Sequence, residues 1–462
     1  MTEYIARNTI RQLAANIRDG ILEPLDLVEE SLEKINMYDG LNAFIDVHAE
    51  SSRTAAKAQR MLLDSGYDMG PLQGIPIAVK DNIDTTDGCT TYGSSIFAKH
   101  RPLKEATVVD RLRHAGAIII GKTNLHEFAW GGTTDNPHYG TARNPWNTGR
   151  IPAGSSGGSG IAVATRSVCC ALGTDTGGSI RLPSAMDGVC GIRPTLGDLP
   201  TDGIFPVAWS MDTVGPLCSN AEDTELVFQI MAGKPLVPAN LPAFSRLRIG
   251  IISGYSLEGL QADVKAAFER VLLTLESRGA QIIEVNLPGV EEVVDAQLVV
   301  DAVEPSAVHY TLIQTDASMY GSDVLARLQA GCDLTGVEYV QAQRFRLRFR
   351  QEIERLFDSI DVLLTPTLPF TAPPVGAREV SIDENTTVSA LSGNMKYTAL
   401  ASMSGLPAMS IPIGFDDSGL PVGMQIITPA HREDCAFGFA KAYQLMCNHH
   451  RQVPQMVSNE MI

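Results

Sequence analysis

Over the first 65 residues the apolar positions recur at helical spacing: Ile10, Leu13, Ile17 and Ile21 share one stripe, and Val28, Leu32 and Ile35 share another after Pro24-Leu25-Asp26. That period predicts amphipathic helices over residues 1–65, the second opened by its proline, wrapping a core supplied by later residues. From Gly74 the texture changes. Short apolar runs at Ile75 to Val79, Ala117 to Ile120, Ile161 to Ala164 and Val168 to Leu172 stand between glycine-rich turns. Such runs alternate with helical stretches such as Ala106 to Ala115, which predicts a largely buried, mixed or parallel sheet in an α/β fold. Residues 232–247 are proline-rich and without period, a candidate connection between lobes. Beyond them, Arg248 to Ile252 reads as a strand, Asp263 to Arg278 as a helix and Gln281 to Val285 as a strand. A long polar helix over 338–357, a strand at Val362 to Thr365 and a hairpin turning at Asp416-Asp417-Ser418-Gly419 complete the pattern. The expectation is one domain over 1–462, with its chemistry concentrated in 74–220.

A chain of 462 residues with 44 % hydrophobic content can bury a large core. Its 53 acidic and 36 basic residues give a net charge of −17, which argues against nucleic acid and anionic membrane as partners and for small neutral or polar molecules. There is no apolar run of bilayer length and no basic start with a cleavage site, so neither a membrane span nor a signal peptide is expected. The eight cysteines, with no CxxC pair and no metal-type spacing to histidine, predict reduced thiols, a cytoplasmic protein and no bound metal.

Glycine and serine concentrate in two runs, Gly154-Ser155-Ser156-Gly157-Gly158-Ser159-Gly160 and Asp175-Thr176-Gly177-Gly178-Ser179. Flexible linkers have such composition, but these runs are bracketed by core-type segments. Two glycines before Ser179 allow successive N–H groups to converge on one point. Donors so arranged stabilise the oxygen of a tetrahedral intermediate by about 3 to 4 kcal/mol each, and Ser179 stands where a nucleophile would be needed. A serine needs a base. His126 and His138 lie in the region without an acidic partner at a telling spacing, whereas Lys80 ends the run Gly74 to Val79, where burial would keep an amine neutral.

Two other motifs match by letter only. Gly116 to Thr123 fits GxxxxGK[ST], but Ala117-Ile118-Ile119-Ile120 is strand material rather than a phosphate-cradling loop. Gly154 to Gly158 fits the nucleophile elbow GxSxG with Ser156, for which His309 and His431 are available downstream, yet that reading leaves Lys80 and the Ser179 loop without a purpose.

The strings GIPIAVKDNID, GKTNLHEFAWGG, NPW with PAGSSGGSG, and ALGTDTGGSIRLPSAMDGVCGIRPT, all between residues 74 and 195, resemble the amidase signature family. Weaker similarity continues in SMDTVGPL, DVLLTPTLP, SGLPAMSIPIG and GLPVGMQII. The resemblance implies a large twisted mixed β-sheet covered by helices on both faces, and a hydrolase of amide C–N bonds working through an acyl-enzyme without cofactor. It further implies Lys80 as base, Ser155 as bridging serine after a cis peptide bond, and Ser179 as nucleophile. Thr176, Gly177, Gly178 and Ser179 would supply oxyanion N–H groups, with Asp175, Arg181 and Ser156 in support.

Among substrates, the resemblance leaves several classes open. Trp130, Gly131 and Trp209 fall where the family builds its pocket, and two tryptophans there imply a wide apolar wall for an aryl amide or carbamate. The stretch NPHYGTARNPWNTGRIPAGSSGGSG is also similar to biuret-type hydrolases. Alignment with the glutamine-hydrolysing component of the tRNA amidotransferase puts Met395 where that component carries the acidic residue for the glutamine amino group, which argues against glutamine. A small-molecule amide is the expected partner; a homodimer or a further protein partner is compatible with the pattern.

Overall fold

The computed structural model describes residues 3–458. Its N-terminal region holds four helices, α1 (Tyr4–Arg7), α2 (Ile10–Arg18), α3 (Pro24–Met37) and α4 (Ala49–Asp64), with strand β1 (Phe44–Val47) before the last. The first predicted helix is therefore split, and Met1 and Thr2 lie outside the described residues. The split has a local cause: Thr9 and Gln12 cap each other's backbone amides, which starts a new helix. Helix α2 buries Ile10, Leu13 and Ile17 but ends at Arg18, so Ile21 is 70 % exposed instead of continuing the stripe.

The later strands are β2 (Pro76–Lys80), β3 (Ile118–Thr123), β4 (Asp135–Asn136), β5 (Gly140–Thr141), β6 (Cys170–Asp175), β7 (Cys190–Arg193), β8 (Thr213–Cys218) and β9 (Arg248–Ile252). They continue with β10 (Gln281–Val285), β11 (Val362–Pro366), β12 (Glu379–Ser381), β13 (Thr387–Ser389), β14 (Ala408–Phe415) and β15 (Pro421–Ile427). Ten of them join β1 in one eleven-stranded sheet in the order β1-β3-β2-β6-β8-β7-β14-β15-β11-β9-β10; β4 with β5 and β12 with β13 form separate ladders. The sheet is mixed: β2 runs parallel to β3 and β6, whereas β6 with β8 and β14 with β15 are antiparallel.

The remaining helices are α5 (Thr107–His114), α6 (Gly157–Ala164), α7 (Arg181–Asp187), α8 (Ala221–Ala232), α9 (Ala262–Ser277) and α10 (Val293–Asp316). After them come α11 (Ser322–Asp333), α12 (Gly336–Leu356), α13 (Ala390–Ser404), α14 (Glu433–Gln444) and α15 (Gln455–Ser458). Strand alternation distributes the core to both faces. Ile77, Val79, Ile119 and Leu172 join residues of α2, α5 and α8, while Ala78, Ile118, Ile120 and Ala171 join residues of α3, α4 and α6. Among the described residues no helix is long and apolar enough to cross a membrane.

The run Ile161 to Ala164, expected among the strands, is the end of α6. Helical period fails there because all eight residues of α6 are buried and no polar stripe exists. Its glycines are contact residues: a Cβ on Gly158 would lie 2.4 Å from the Ala43 carbonyl oxygen, and one on Gly160 2.1 Å from Asp187 Oδ2. The letter match to a phosphate loop is strand β3, whose Lys122 is buried and donates to the Ile83 carbonyl and to Thr90 Oγ1. The stretch 232–247 leads from α8 to β9, and strands on both sides of it pair within the same sheet.

Candidate active site

Parallel pairing of β2 with β6, Ile77 opposite Cys170 and Val79 opposite Leu172, brings their C-terminal ends side by side. Lys80 ends β2, and Thr174 and Asp175 end β6. Lys80 Nζ is buried and donates to Ser155 Oγ at 2.7 Å and Thr174 Oγ1 at 2.8 Å. Burial pushes its ammonium well below the ordinary 10.5, against the opposing charges of Asp175 and Asp212. Ser155 follows a cis peptide bond from Gly154. A Cβ on Gly154 would come 2.6 Å from the Thr133 amide, so the loop lies against the backbone of 131–134.

Ser156 ties the two Gly/Ser runs together. Its amide donates to the Ser179 carbonyl at 3.3 Å, and its hydroxyl donates to the Thr174 carbonyl at 3.2 Å. Gly178 has φ of +136°, which glycine adopts without strain, and a Cβ there would meet Thr398 Oγ1 at 2.8 Å. Asp175 Oδ2 accepts the amides of Ile180 and Arg181 at the start of α7. Among the described residues none accepts a hydrogen bond from the amides of Gly177, Gly178 or Ser179. Ser179 lines a cavity of about 60 Å³ together with Trp130, Gly131, Gly177, Asp301 and Met395.

Buried charge holds this loop. Arg181 places all five of its N–H groups: Nε and Nη2 on Asp175 at 3.0 and 2.9 Å, Nη2 also on Ser402 Oγ, and Nη1 on the Thr398 carbonyl and Gln425 Oε1. Arg193 adds bonds to the Asp175 carbonyl and carboxylate and to the Thr176 and Met211 carbonyls. Burial alone would raise the Asp175 carboxyl; the two guanidinium groups outweigh it and hold the acid well below its usual range. Asp212 accepts from Thr176 Oγ1 at 2.6 Å and from the amides of Val207 and Ala208.

Two pocket expectations need correction. Trp209 is 54 % exposed and is not among the residues lining the cavity. Its loop is pinned on one side by Asp212 and on the other by Ser210, which donates through its amide and hydroxyl to Glu304, so the indole points outward. Trp130 does line the cavity, but the Arg327 guanidinium lies 4.9 Å over its ring, so the wall there is charged as well as aromatic. Gly131 and Met395 share that lining.

His126 and His138 have acidic partners after all, Asp323 at 2.9 Å and Glu127 at 2.7 Å; Asp323 is contributed by α11, 197 residues away in the chain. Ser156 has no such arrangement: its hydroxyl is engaged by Thr174, His309 by the Tyr320 hydroxyl and His431 by Asp198. Residues that sequence reasoning missed are Thr174, Arg193, Asp212, Asp301, Arg327 and Asn394. Only Thr174 carries a local signal, its place one residue before the Asp175 loop. Among the described residues no three or more His, Cys, Asp or Glu side chains are grouped to hold a metal ion.

The sequence model of the family described as Amidase matches residues 26–436. The A component of the glutamyl-tRNA(Gln) amidotransferase of Synechococcus sp. (strain CC9605) is 35 % identical over 458 residues, covering 91 % of this chain and 92 % of its own. Among solved structures, an amidase superposes with a TM-score of 0.90 at 31 % identity, covering 95 % of this chain and 100 % of its own. A chain of a vestigial protein complex that reveals the evolutionary origins of an s-triazine catabolic enzyme superposes with a TM-score of 0.88 at 32 % identity, covering 95 % of this chain and 98 % of its own.

Proposed function

The chain belongs to the amidase family, and on that ground we propose that it hydrolyses a small-molecule amide through Lys80, Ser155 and Ser179. The observation that carries the reading is the buried contact of Lys80 Nζ with Ser155 Oγ at 2.7 Å, joined to the run that ends in Ser179 through Thr174 Oγ1 on Lys80 and the Ser156 amide on the Ser179 carbonyl. Neutral Lys80 takes a proton from Ser155, which takes one from Ser179 as its Oγ attacks the carbonyl carbon. The amides of Gly177, Gly178 and Ser179, unengaged by protein acceptors among the described residues, receive the oxygen that becomes negative, with Thr176 beside them. The relay returns the proton to the nitrogen as the C–N bond breaks and the amine departs. A water activated by the same relay then attacks the acyl-enzyme, releasing the acid and restoring Ser179.

The preference for an aryl amide or carbamate loses support with Trp209 outside the cavity and Arg327 over Trp130. A second reading, glutamine as the amide within a multi-protein complex, is favoured by the 35 % identity to the amidotransferase relative and by an acidic residue in the cavity, Asp301, whose carboxyl burial pushes up to about 7. Turnover by the purified chain of primary amides, ureides, anilides and glutamine, against Ser179→Ala, tests the proposal. The variant should lose roughly 10⁴-fold or more in kcat. Activity surviving within tenfold overturns the assignment of Ser179.

A further inference from the structure

A cavity of about 740 Å³ lies between α1, α2, α8, α14 and the segment 238–241, and it shares no lining residue with the cavity beside Ser179. Its charge is opposite to that of the chain. Arg7, Arg11, Arg166, Lys441 and Arg451 line it against two acids, Glu222 and Glu225, in a protein of net charge −17. Lys441 takes up Glu225 at 2.6 Å, Arg11 lies 3.9 Å from Glu222 and Arg7 3.8 Å from Glu3. Arg166 is 5 % exposed, and its guanidinium donates to two main-chain carbonyls, those of Val163 and His450, at 3.2 Å each. Among the described residues no carboxylate forms an ion pair with Arg166 or with Arg451. Asp223, whose charge acts on Arg166, already accepts from the Ile10 amide and Asn220 Nδ2, and burial pushes its carboxyl up to about 7. Burial lowers the Arg166 guanidinium only to about 10, so at neutral pH it keeps its charge. His450, 8 % exposed, lines the same cavity, and its Nδ1 has no hydrogen-bond partner among the described residues. A buried cation without a counter-charge is costly, as is a buried ring nitrogen without a partner, and an anion entering the cavity removes both costs.

We infer that this cavity is a binding site for a small polyanion, a molecule with two or more carboxylate or phosphate groups, one of them held by Arg166 and the others by Arg11 and Arg451. The guanidinium of Arg166 has five N–H groups and meets two acceptors in the protein, which leaves donors for a forked contact with a carboxylate or phosphate. A volume of about 740 Å³ exceeds what one inorganic ion fills and suits an organic ligand. The depth of Arg166 favours a small molecule over a protein surface, since a buried guanidinium is reached by a group that enters the cavity. The site is separate from the proposed chemistry: α6 stands between them, with Ser155 two residues before its start at Gly157 and Arg166 two residues after its end at Ala164.

The test is calorimetric titration of citrate and of pyrophosphate into the full chain at neutral pH in about 0.15 M NaCl, where loosely held surface charge is screened. At least one probe should bind with a Kd of about 1 mM or lower, and Arg166→Gln should weaken it about tenfold or more, as expected for a lost charge-assisted hydrogen bond. Should Arg166→Gln fold poorly, the double charge reversal Arg11→Glu with Arg451→Glu carries the test, because both side chains are at least partly exposed, and it too should weaken binding about tenfold or more. Arg327→Gln, in the cavity beside Ser179, should leave the Kd within about twofold. Citrate telling from pyrophosphate by tenfold or more assigns the carboxylate or the phosphate source. Binding of neither probe at about 10 mM overturns the inference, as does a Kd that the double reversal leaves within about twofold or that Arg327→Gln abolishes. Binding of poly-glutamate with neither small probe bound overturns it in favour of an acidic protein partner. Because turnover is not read, the outcome is independent of the Ser179 assignment.

Discussion

Replacing Lys80 by methionine should abolish turnover and yet stabilise the fold at neutral pH. Lys80 Nζ is buried with two hydroxyl partners and no ion pair, and burial depresses its pKa well below 10.5. Between the folded value and 10.5, the unfolded chain binds a proton that the folded chain does not. Folding stability therefore falls as pH is lowered through that window, by about 1.4 kcal/mol per pH unit, and levels off below the folded value. Methionine removes this penalty but also the two hydrogen bonds, worth about 1 kcal/mol each. Near pH 10.5 the variant should be the less stable protein by about 2 kcal/mol. As pH falls the difference shrinks at about 1.4 kcal/mol per unit, reverses, and leaves the variant ahead at neutral pH. Parallel urea unfolding of both proteins from pH 7 to 10 measures this, and other buried groups such as Lys122 cancel in the difference because both proteins carry them. The pH at which the difference levels off should coincide with the pH below which wild-type kcat/KM declines. A stability difference independent of pH would mean that Lys80 keeps its proton in the fold, and the relay drawn from a neutral amine would be wrong.

Gly178→Ala should lower kcat by roughly 10²-fold or more at little change in KM, because a side chain at φ +136° pressed against Thr398 turns away the amides that the proposed mechanism assigns to the oxyanion; steady-state kinetics decides, and a change under threefold refutes it. Arg181→Lys should cost about 3 to 5 kcal/mol in urea unfolding, since an ammonium has three donors for the five acceptors that the guanidinium fills around Asp175. A loss below about 1 kcal/mol would show that Arg193 suffices to hold the carboxylate.

What could be read from the sequence was local. Strand ends and tight glycine loops announce themselves within a few residues, so the segments around Lys80, Ser155 and Ser179 were legible, as were β9, β10 and the β14–β15 hairpin. Helix α6 was not, because the signal for a helix is a polar stripe and a helix packed on every side has none. Its glycines look like a loop until the neighbouring Ala43 carbonyl and Asp187 are in place. The misplacement of Trp209 has the same origin. A tryptophan near a motif suggests a wall, but the direction of its ring is fixed by Asp212 and Glu304, the latter 94 residues from Ser210. Asp301, Arg327 and Asn394 reach the cavity from three helices beyond residue 290, and nothing in their local spacing distinguishes them from helix surface.

This division between local and distant residues has a mechanical counterpart. The Ser179 loop is tied by Arg181 and Arg193 to β6, α13 and β15 through bonds that are all buried, so its amides have little room to shift. The cavity wall on α10 and α11 is not among the partners of Arg181 and Arg193 and meets the loop by packing, Gln297 and Asp301 against Gly177. Helix α13 is the exception. Thr398 gives its hydroxyl to the Gly177 carbonyl at 2.7 Å and its own carbonyl to Arg181 at 2.8 Å, one helical turn after Asn394. A ligand drawing on Asn394 therefore pulls on the helix that positions Gly177, so occupancy of the cavity and placement of the Gly177 and Gly178 amides are joined through one element.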